Sequence, residues 1–281
     1  MLAGKHLLVT GGTLGIGYAC ALKALEEGAD VTLCARTPSA VTAALEALER
    51  RFGAGRVQGM RADVGSQTDV ESLFERTARH KPLDGVIHAA AVLPPIGSIL
   101  DVEPDEWFDT VRINLFGAFL VTRTACRTMR PRGGRIVLFS GGGASGPFPN
   151  YTAYACSKVA VVRLVETVAQ EMQPYGIEIN ALAPGFVVTR MHAQTIGAGS
   201  ASGEAYLDRT KQEVERGGVP PGIPASCAAF LVSDRARGIS GRFISAVHDR
   251  WEDLPEHASA IEGTDIFTLR RIVPADRGVT I

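Results

Sequence analysis

The chain has 281 residues and is 46% hydrophobic, enough to bury a full core in one large α/β domain or two small ones. Its 29 Lys and Arg nearly balance 30 Asp and Glu, and no long run of one sign suggests a nucleic-acid tail or a membrane patch, so small neutral or mildly charged molecules are the expected partners. The cysteines (Cys20, Cys34, Cys126, Cys156, Cys227) are odd in number and lack metal-ligand spacing, and apolar runs stop short of the roughly 18 residues of a membrane helix; the expectation is a cytoplasmic protein with no metal site.

In chain order, "MLAGKHLLVTGG" opens with an apolar run too short for a signal-peptide core, and "HLLVT" (6–10) is predicted as the first strand. Further strands are predicted at "DVTLCA" (30–35), "RVQGMRA" (56–62), "DGVIHAA" (84–90), "GRIVLFS" (134–140), "IEINALA" (177–183) and "GRFISA" (241–246). Most are apolar on nearly every residue, as strands covered by helices on both faces must be. Between them, "IGYACALKALEEG" (16–28) and "SAVTAALEALERRFG" (39–53) carry apolar residues at intervals of three and four and stop at a glycine, as helices do. Strands alternating with helices predict one α/β domain over 1–245, a doubly wound parallel sheet of about seven strands. The one loop-like stretch of any size, "TIGAGSASGEAY" (195–206), lies in a segment (190–218) expected to cover a substrate, and its Gly, Ser, Thr and charges lean toward a polar one.

The turn "TGGTLGIG" (10–17) leads from the first strand into the first helix, where Gly11, Gly15 and Gly17, with Thr13, Leu14 and Ile16 between them, can present N–H groups to a dinucleotide pyrophosphate. The spacing differs from G-x-G-x-x-G, so the βαβ context carries the reading. An acid at the end of the second strand would bind a ribose 2′-hydroxyl; this chain has Ala35 then Arg36, which points to a 2′-phosphate and hence NADP(H). Asp63, before Val64 in "RADV", either accepts from an adenine amine or caps the following helix. Tyr154 and Lys158 are four residues apart, on one face of a helix, where an ammonium beside a phenol would favour the phenolate and allow proton transfer to or from a carbonyl or hydroxyl.

With these motifs, joined by "RINLFGAF" (112–119), "YACSK" (154–158) and "NALAPGFVVTRM" (180–191), the chain resembles the short-chain dehydrogenase/reductase family over residues 4–245. The resemblance implies a Rossmann-like fold, Tyr154 as acid/base, Lys158 lowering its pKa and holding the nicotinamide ribose, Asn114 holding a relay water, and Pro184, Gly185, Val187 and Thr189 bordering the nicotinamide. It also implies a homodimer or homotetramer. Two departures stand out. Where the family carries "NNAG" this chain reads "HAAA" (88–91), so His88 replaces an Asn, leaving Ala89 and Ala90 for a backbone contact to the adenosine ribose. Thirteen residues before Tyr154, where the family has a serine, stands Gly141; Ser140 is one residue early, and a slip within Gly141–Gly143 would be needed to aim it at the substrate.

The 35 residues after 246, with Trp251, Phe267, Leu269 and Ile272, are too apolar for a disordered tail and are expected to pack on the body or on a neighbouring subunit, with Trp251 and His248 as candidates for shaping the pocket. The expected function is an NADP(H)-dependent oxidoreductase acting on a small carbonyl or alcohol. An epimerase or dehydratase working through a keto intermediate, and a nucleotide-binding scaffold with weak catalysis, are the alternatives.

Overall fold

The structure, a computed structural model, describes residues 1–280. The chain alternates strand and helix through β1 (His6–Thr10), α1 (Gly15–Glu26), β2 (Asp30–Ala35), α2 (Pro38–Phe52), β3 (Val57–Arg61), α3 (Gln67–His80) and β4 (Gly85–His88). It continues with α4 (Pro104–Val111), α5 (Gly117–Met129), β5 (Gly134–Phe139), α6 (Thr152–Met172) and β6 (Ile177–Ala183). Then come α7 (Arg190–Ala198), α8 (Glu204–Glu215), α9 (Gly222–Leu231) and β7 (Phe243–Ser245). The seven strands form one parallel sheet in the order β3-β2-β1-β4-β5-β6-β7. The order reverses between β1 and β4, the switch point at which a ligand meets the carboxyl ends of the strands.

Side-chain alternation along β1 shows why the strands read as continuous apolar runs. Leu7 and Val9 enter a core layer with α1, α2 and α9, while Leu8 enters the layer of α3, α5 and α6 on the opposite face. Both layers are dry, so both parities must be apolar. Helix starts follow local chemistry: Pro38 begins α2, and Ser66 Oγ accepts from the Asp69 amide to cap α3. Among the described residues no helix is long and apolar enough to cross a membrane.

Residues after 246 pack on the chain's own body. Ala246, Leu254 and Ile261 enter the same core layer as α1 and α9, and Trp251 packs on Phe230 with its indole N–H donating to the Ala246 carbonyl at 3.2 Å. Trp251 is thus a core anchor, and His248 is exposed. The segment then runs past β7, the last strand of the sheet. Arg242 donates to three of its carbonyls, Ile261 and Ile266 at 2.7 Å and Thr264 at 2.9 Å. The Phe243 amide donates to the Phe267 carbonyl at 2.7 Å, and Glu166 on α6 accepts from the Leu269 amide at 2.6 Å.

One guanidinium therefore pins much of the strap. Arg242→Ala is expected to destabilise the protein by about 1–3 kcal/mol, since bonds to a charged donor are lost and the carbonyls are partly returned to water. Hydrogen exchange checks it: the Phe243 and Leu269 amides should lose protection while those of β1 keep theirs. Unchanged exchange at both would mean that apolar packing alone holds the strap.

Candidate active site

The glycine turn after β1 is shaped by close approach. A Cβ on Gly11, whose φ is 68°, would lie 2.8 Å from the Ala90 amide nitrogen, and one on Gly17 would lie 2.2 Å from the Gly11 carbonyl oxygen. Side chains are excluded there, so α1 can begin immediately behind the turn with its free N–H groups directed outward. Gly15 looks across to Thr189, with 3.4 Å between an added Cβ and the Thr189 methyl. Thr13 is buried, Ile16 half-buried and Leu14 exposed at 59%. Ala89, whose amide donates to the Thr10 carbonyl at 3.1 Å, and Ala90 line the far side of this cradle. The backbone here fits a dinucleotide pyrophosphate: a glycine surface at a helix N-terminus, with no side chain in the way.

At the edge of that cradle, Arg36 follows the last residue of β2, is exposed, and has no carboxylate partner among the described residues. Asp63 is half-buried and accepts from the Gly65 amide at 2.9 Å, closing an Asx turn. Capping of α3 falls to Ser66, so of the two readings of Asp63 the cap is removed. Val64 is buried against Gly117. On the other side of the cradle Pro184 and Gly185 turn the chain after β6, with Gly185 at φ 77° beside Val247 and Val219, and Val187 is buried.

Tyr154 and Lys158 lie on the first two turns of α6, both buried, facing the end of β5. The Lys158 ammonium donates to the Phe139 carbonyl at 2.8 Å and sits 5.6 Å from the centroid of the Tyr154 ring. Burial dominates both groups: it pulls the Lys158 ammonium down to about 8 and pushes the Tyr154 phenol well above its ordinary value, with Tyr206 adding to the rise. Desolvation is thus the leading influence on the phenol, opposite in direction to the lowering expected from Lys158.

Asn114 sits in a π-helical turn (112–116) between α4 and α5, a bulge of the kind that recurs at functional sites. Its side chain is fully engaged, accepting from the Val92 amide at 2.8 Å and donating to the Val92 carbonyl and to Ser157 Oγ at 2.9 and 3.1 Å. Ser157 Oγ in turn donates to the Tyr154 carbonyl. Asn114 thus ties the segment after β4 to the first turn of α6, and its side chain has no donor left over.

Ser140 requires a correction. Its hydroxyl is buried and donates to the Lys158 carbonyl at 3.1 Å, whereas an added Cβ on Gly141 would lie 2.7 Å from the Tyr154 hydroxyl oxygen. Successive residues of a strand point to opposite faces, and the glycines do not slip the register. Gly141 therefore occupies the position opposite Tyr154, and Ser140 points at α6. His88 is likewise turned inward: Nδ1 and Thr10 Oγ1 are 2.7 Å apart, joining the ends of β4 and β1, and burial, with the Lys158 charge, holds its pKa down to about 3.

Three aromatic residues near Tyr154 have no place in the motif reading. Phe148 stacks on Tyr151 with centroids 4.3 Å apart, meets Tyr154 edge-on at 6.5 Å, and meets Tyr206 of α8 edge-on at 4.8 Å. Tyr151 is completely buried, and its hydroxyl donates to Thr195 Oγ1 of α7 at 3.1 Å. Leu93, Ile96 and Met191 complete the cluster. The three-residue spacing of Phe148, Tyr151 and Tyr154 is visible in the sequence; Tyr206, 52 positions after Tyr154, is not linked to them by any local pattern.

A doubly wound sheet with a glycine cradle at its switch point, and a Tyr–Lys helix beside it, defines a dinucleotide-binding oxidoreductase. A family model described as enoyl-(acyl carrier protein) reductase matches residues 11–246. The chain is 34% identical over 253 residues, 86% of each protein, to dehydrogenase/reductase SDR family member 4 of Homo sapiens. Among solved structures it is similar to a variant of actinorhodin polyketide ketoreductase with NADPH, at a TM-score of 0.78 and 29% identity over 86% of this chain and 95% of that one. It is also similar to NAD+-bound xylitol dehydrogenase, at a TM-score of 0.78 and 27% identity over 87% and 98% of the two chains. The chain belongs to the short-chain dehydrogenase/reductase family.

The geometry at the end of β5 separates two substitutions. Ser140→Ala is expected to cost about 1 kcal/mol of stability, through the lost buried hydrogen bond to the Lys158 carbonyl, while changing the catalytic rate little. Gly141→Ala should displace the Tyr154 hydroxyl and lower the rate with cofactor affinity retained. Thermal melts and rates for the two variants check both outcomes, and a large rate loss confined to Ser140→Ala would reverse the assignment.

Proposed function

We propose that this protein is an NADP(H)-dependent oxidoreductase that interconverts a carbonyl and an alcohol on a small molecule, with Tyr154 as the proton donor and acceptor. The observation that carries the reading is the meeting of Tyr154 and Lys158 with the end of β5 at the mouth of the glycine cradle. The turn 11–17, together with Asp63, Val64, Ala89 and Ala90, would hold the adenosine and pyrophosphate half of the cofactor. Pro184, Gly185, Val187 and Thr189 would border the nicotinamide, with Lys158 near its ribose. When bound, the reduced nicotinamide supplies the hydride.

The remaining chemistry belongs to this chain's residues. As a carbonyl carbon gains a hydride, its oxygen gains negative charge and takes a proton from the nearest acid. A phenol kept neutral by burial is in the right state to donate, and the Lys158 ammonium stabilises the phenolate left behind. The Lys158 ammonium, made more acidic by burial, which pulls it down to about 8, can then give a proton to the Tyr154 phenolate and be left as the neutral amine, to be reprotonated from solvent. In the oxidative direction the same groups run in reverse. Gly141 leaves the substrate oxygen without a side-chain hydroxyl from β5, which keeps a nucleotide-binding scaffold of weak activity as the second reading.

The choice of NADP(H) rests on Arg36, an unpaired cation where the ribose edge would lie, next to Ala35 and not an acid. The solved relatives are described with both NADPH and NAD+, so this choice belongs to the chain's own residues. Pairing with a second copy of the chain is supported by the exposed stripe Phe108, Phe116 and Phe119 along α4 and α5, and a cytoplasmic location by the scattered free thiols.

In titrations of both cofactors, NADPH should bind more tightly than NADH, and Arg36→Ala should weaken NADPH alone by roughly ten- to a hundredfold. Equal wild-type affinities would remove the assignment. Tyr154→Phe should lower kcat by on the order of 10²–10⁴-fold with cofactor affinity nearly unchanged, measured by single-turnover kinetics and fluorescence titration. Retention of most of the activity would place proton transfer elsewhere.

A further inference from the structure

Apart from Lys158, whose ammonium lies 5.6 Å from the ring centroid, the side chains clustered with Tyr154 are uncharged. Leu93, Ile96, Phe148, Met191 and Tyr206 pack around Tyr151 and Tyr154, and the only polar atoms these five bring are the thioether of Met191 and the hydroxyl of Tyr206. The loop after β5 is thin enough to expose this wall: a Cβ on Gly142 would lie 3.1 Å from the Phe148 ring, and Gly141 carries nothing between backbone and phenol. Tyr151 is completely buried and serves as the floor, stacked under Phe148 and 5.3 Å from Tyr206. Phe148, Tyr206 and Met191 are half-buried, so each keeps part of its surface accessible.

The lid meets this wall with its apolar residues. Gln194, Glu204, Asp208, Arg209 and Lys211 face solvent, while Met191 and Tyr206 turn inward. Thr195, Ser202 and Thr210 are buried in the lid as well, Thr195 as the acceptor of the Tyr151 hydroxyl, so the lid side chains that join the cluster about Tyr154 are Met191 and Tyr206. A carbonyl compound bearing hydroxyls or a charge beside the reacting carbon would lose its hydration against this wall without finding replacement partners. A flat ring there would find two aromatic edges and a thioether.

We propose that Phe148 and Tyr206 form an aromatic clamp that selects uncharged ketones carrying an aromatic or alicyclic ring next to the carbonyl, and the matching secondary alcohols. The proposal rests on the oxidoreductase reading above and specifies the substrate class of that same site. In the reductive direction the C=O π bond opens as the carbonyl carbon receives a hydride from reduced nicotinamide and the oxygen receives the Tyr154 proton. The ring plane lies against Phe148 and Tyr206, so both residues act on binding.

The experiment compares α-tetralone with D-xylulose and pyruvate as oxidants of the reduced cofactor, using the full chain and the variants Phe148→Ala, Tyr206→Ala and Tyr206→Phe. The expected kcat/KM favours α-tetralone by on the order of 10²-fold, and each Ala variant raises its KM about tenfold, while Tyr206→Phe, which keeps the ring, behaves as wild type. Reduced-cofactor fluorescence, unchanged across the variants, reports that the fold is intact. Preference for D-xylulose or pyruvate overturns the clamp and leaves the oxidoreductase reading standing, as does a KM for α-tetralone indifferent to both Ala variants. If no ketone turns over, saturation-transfer NMR of α-tetralone on the cofactor-saturated protein decides. Transfer that is lost in Tyr206→Ala supports the clamp while removing the reductase reading, and absence of transfer overturns the clamp itself.

Discussion

Two hydrogen bonds running in opposite directions join the end of β5 to the second turn of α6: the Lys158 ammonium donates to the Phe139 carbonyl, and the Ser140 hydroxyl donates to the Lys158 carbonyl. Consecutive residues of a strand thus grip the side chain and the backbone of one helical residue. The pair sets the distance between helix and strand, and that distance places the Tyr154 hydroxyl against Gly141. A buried cation costs several kcal/mol unless it is well solvated by the protein, which is why the contact is so particular about its partners. Ser140, turned away from Tyr154 by the strand's alternation, instead helps to locate the Tyr154 phenol through α6.

Around this contact the site divides into a polar half made of backbone and an apolar half made of rings. Glycines dominate the polar half because N–H groups can reach a phosphate only where no Cβ intervenes, and the near-collisions a side chain would meet at Gly11 and Gly17 show how little space is left. In the apolar half, Phe148, Tyr151 and Tyr206 dry the surroundings of the phenol and raise its pKa, which suits an acid better than a base. Asn114 and Ser157 connect the halves by tying the strand-end segment at Val92 to the first turn of α6.

The far end of the chain is bound into the same framework. Glu166, two turns beyond Lys158 on α6, accepts from Leu269, and Arg242 beside β7 gathers three carbonyls of the strap. The segment is therefore tied to the helix that carries Tyr154 and Lys158. Its backbone bond from Phe243 to Phe267 also occupies part of the sheet edge at β7.

Periodicity and motif order were enough to read the architecture: the sequence placed β6 at Ile177–Ala183 and brought β1, β2 and β5 within a residue of their ends, because parallel strands buried on both faces leave an unmistakable apolar signature. The glycine turn, the Tyr–Lys spacing and the unusual Gly141 were legible for the same reason, each being a local arrangement along one strand, turn or helix. Three things were not. How strongly the phenol is desolvated depended on burial, which is a property of the packed molecule. Where Ser140 pointed depended on whether the glycines held the strand register. The aromatic wall joins Phe148 to Tyr206 across a sheet crossover and a lid, so no spacing announces it. The sequence by itself determined which groups stand at the carboxyl ends of the strands, since that follows from local backbone preference. Only the tertiary structure decided which of those groups are dry and which face one another, because desolvation and side-chain direction arise when distant segments close on the same volume.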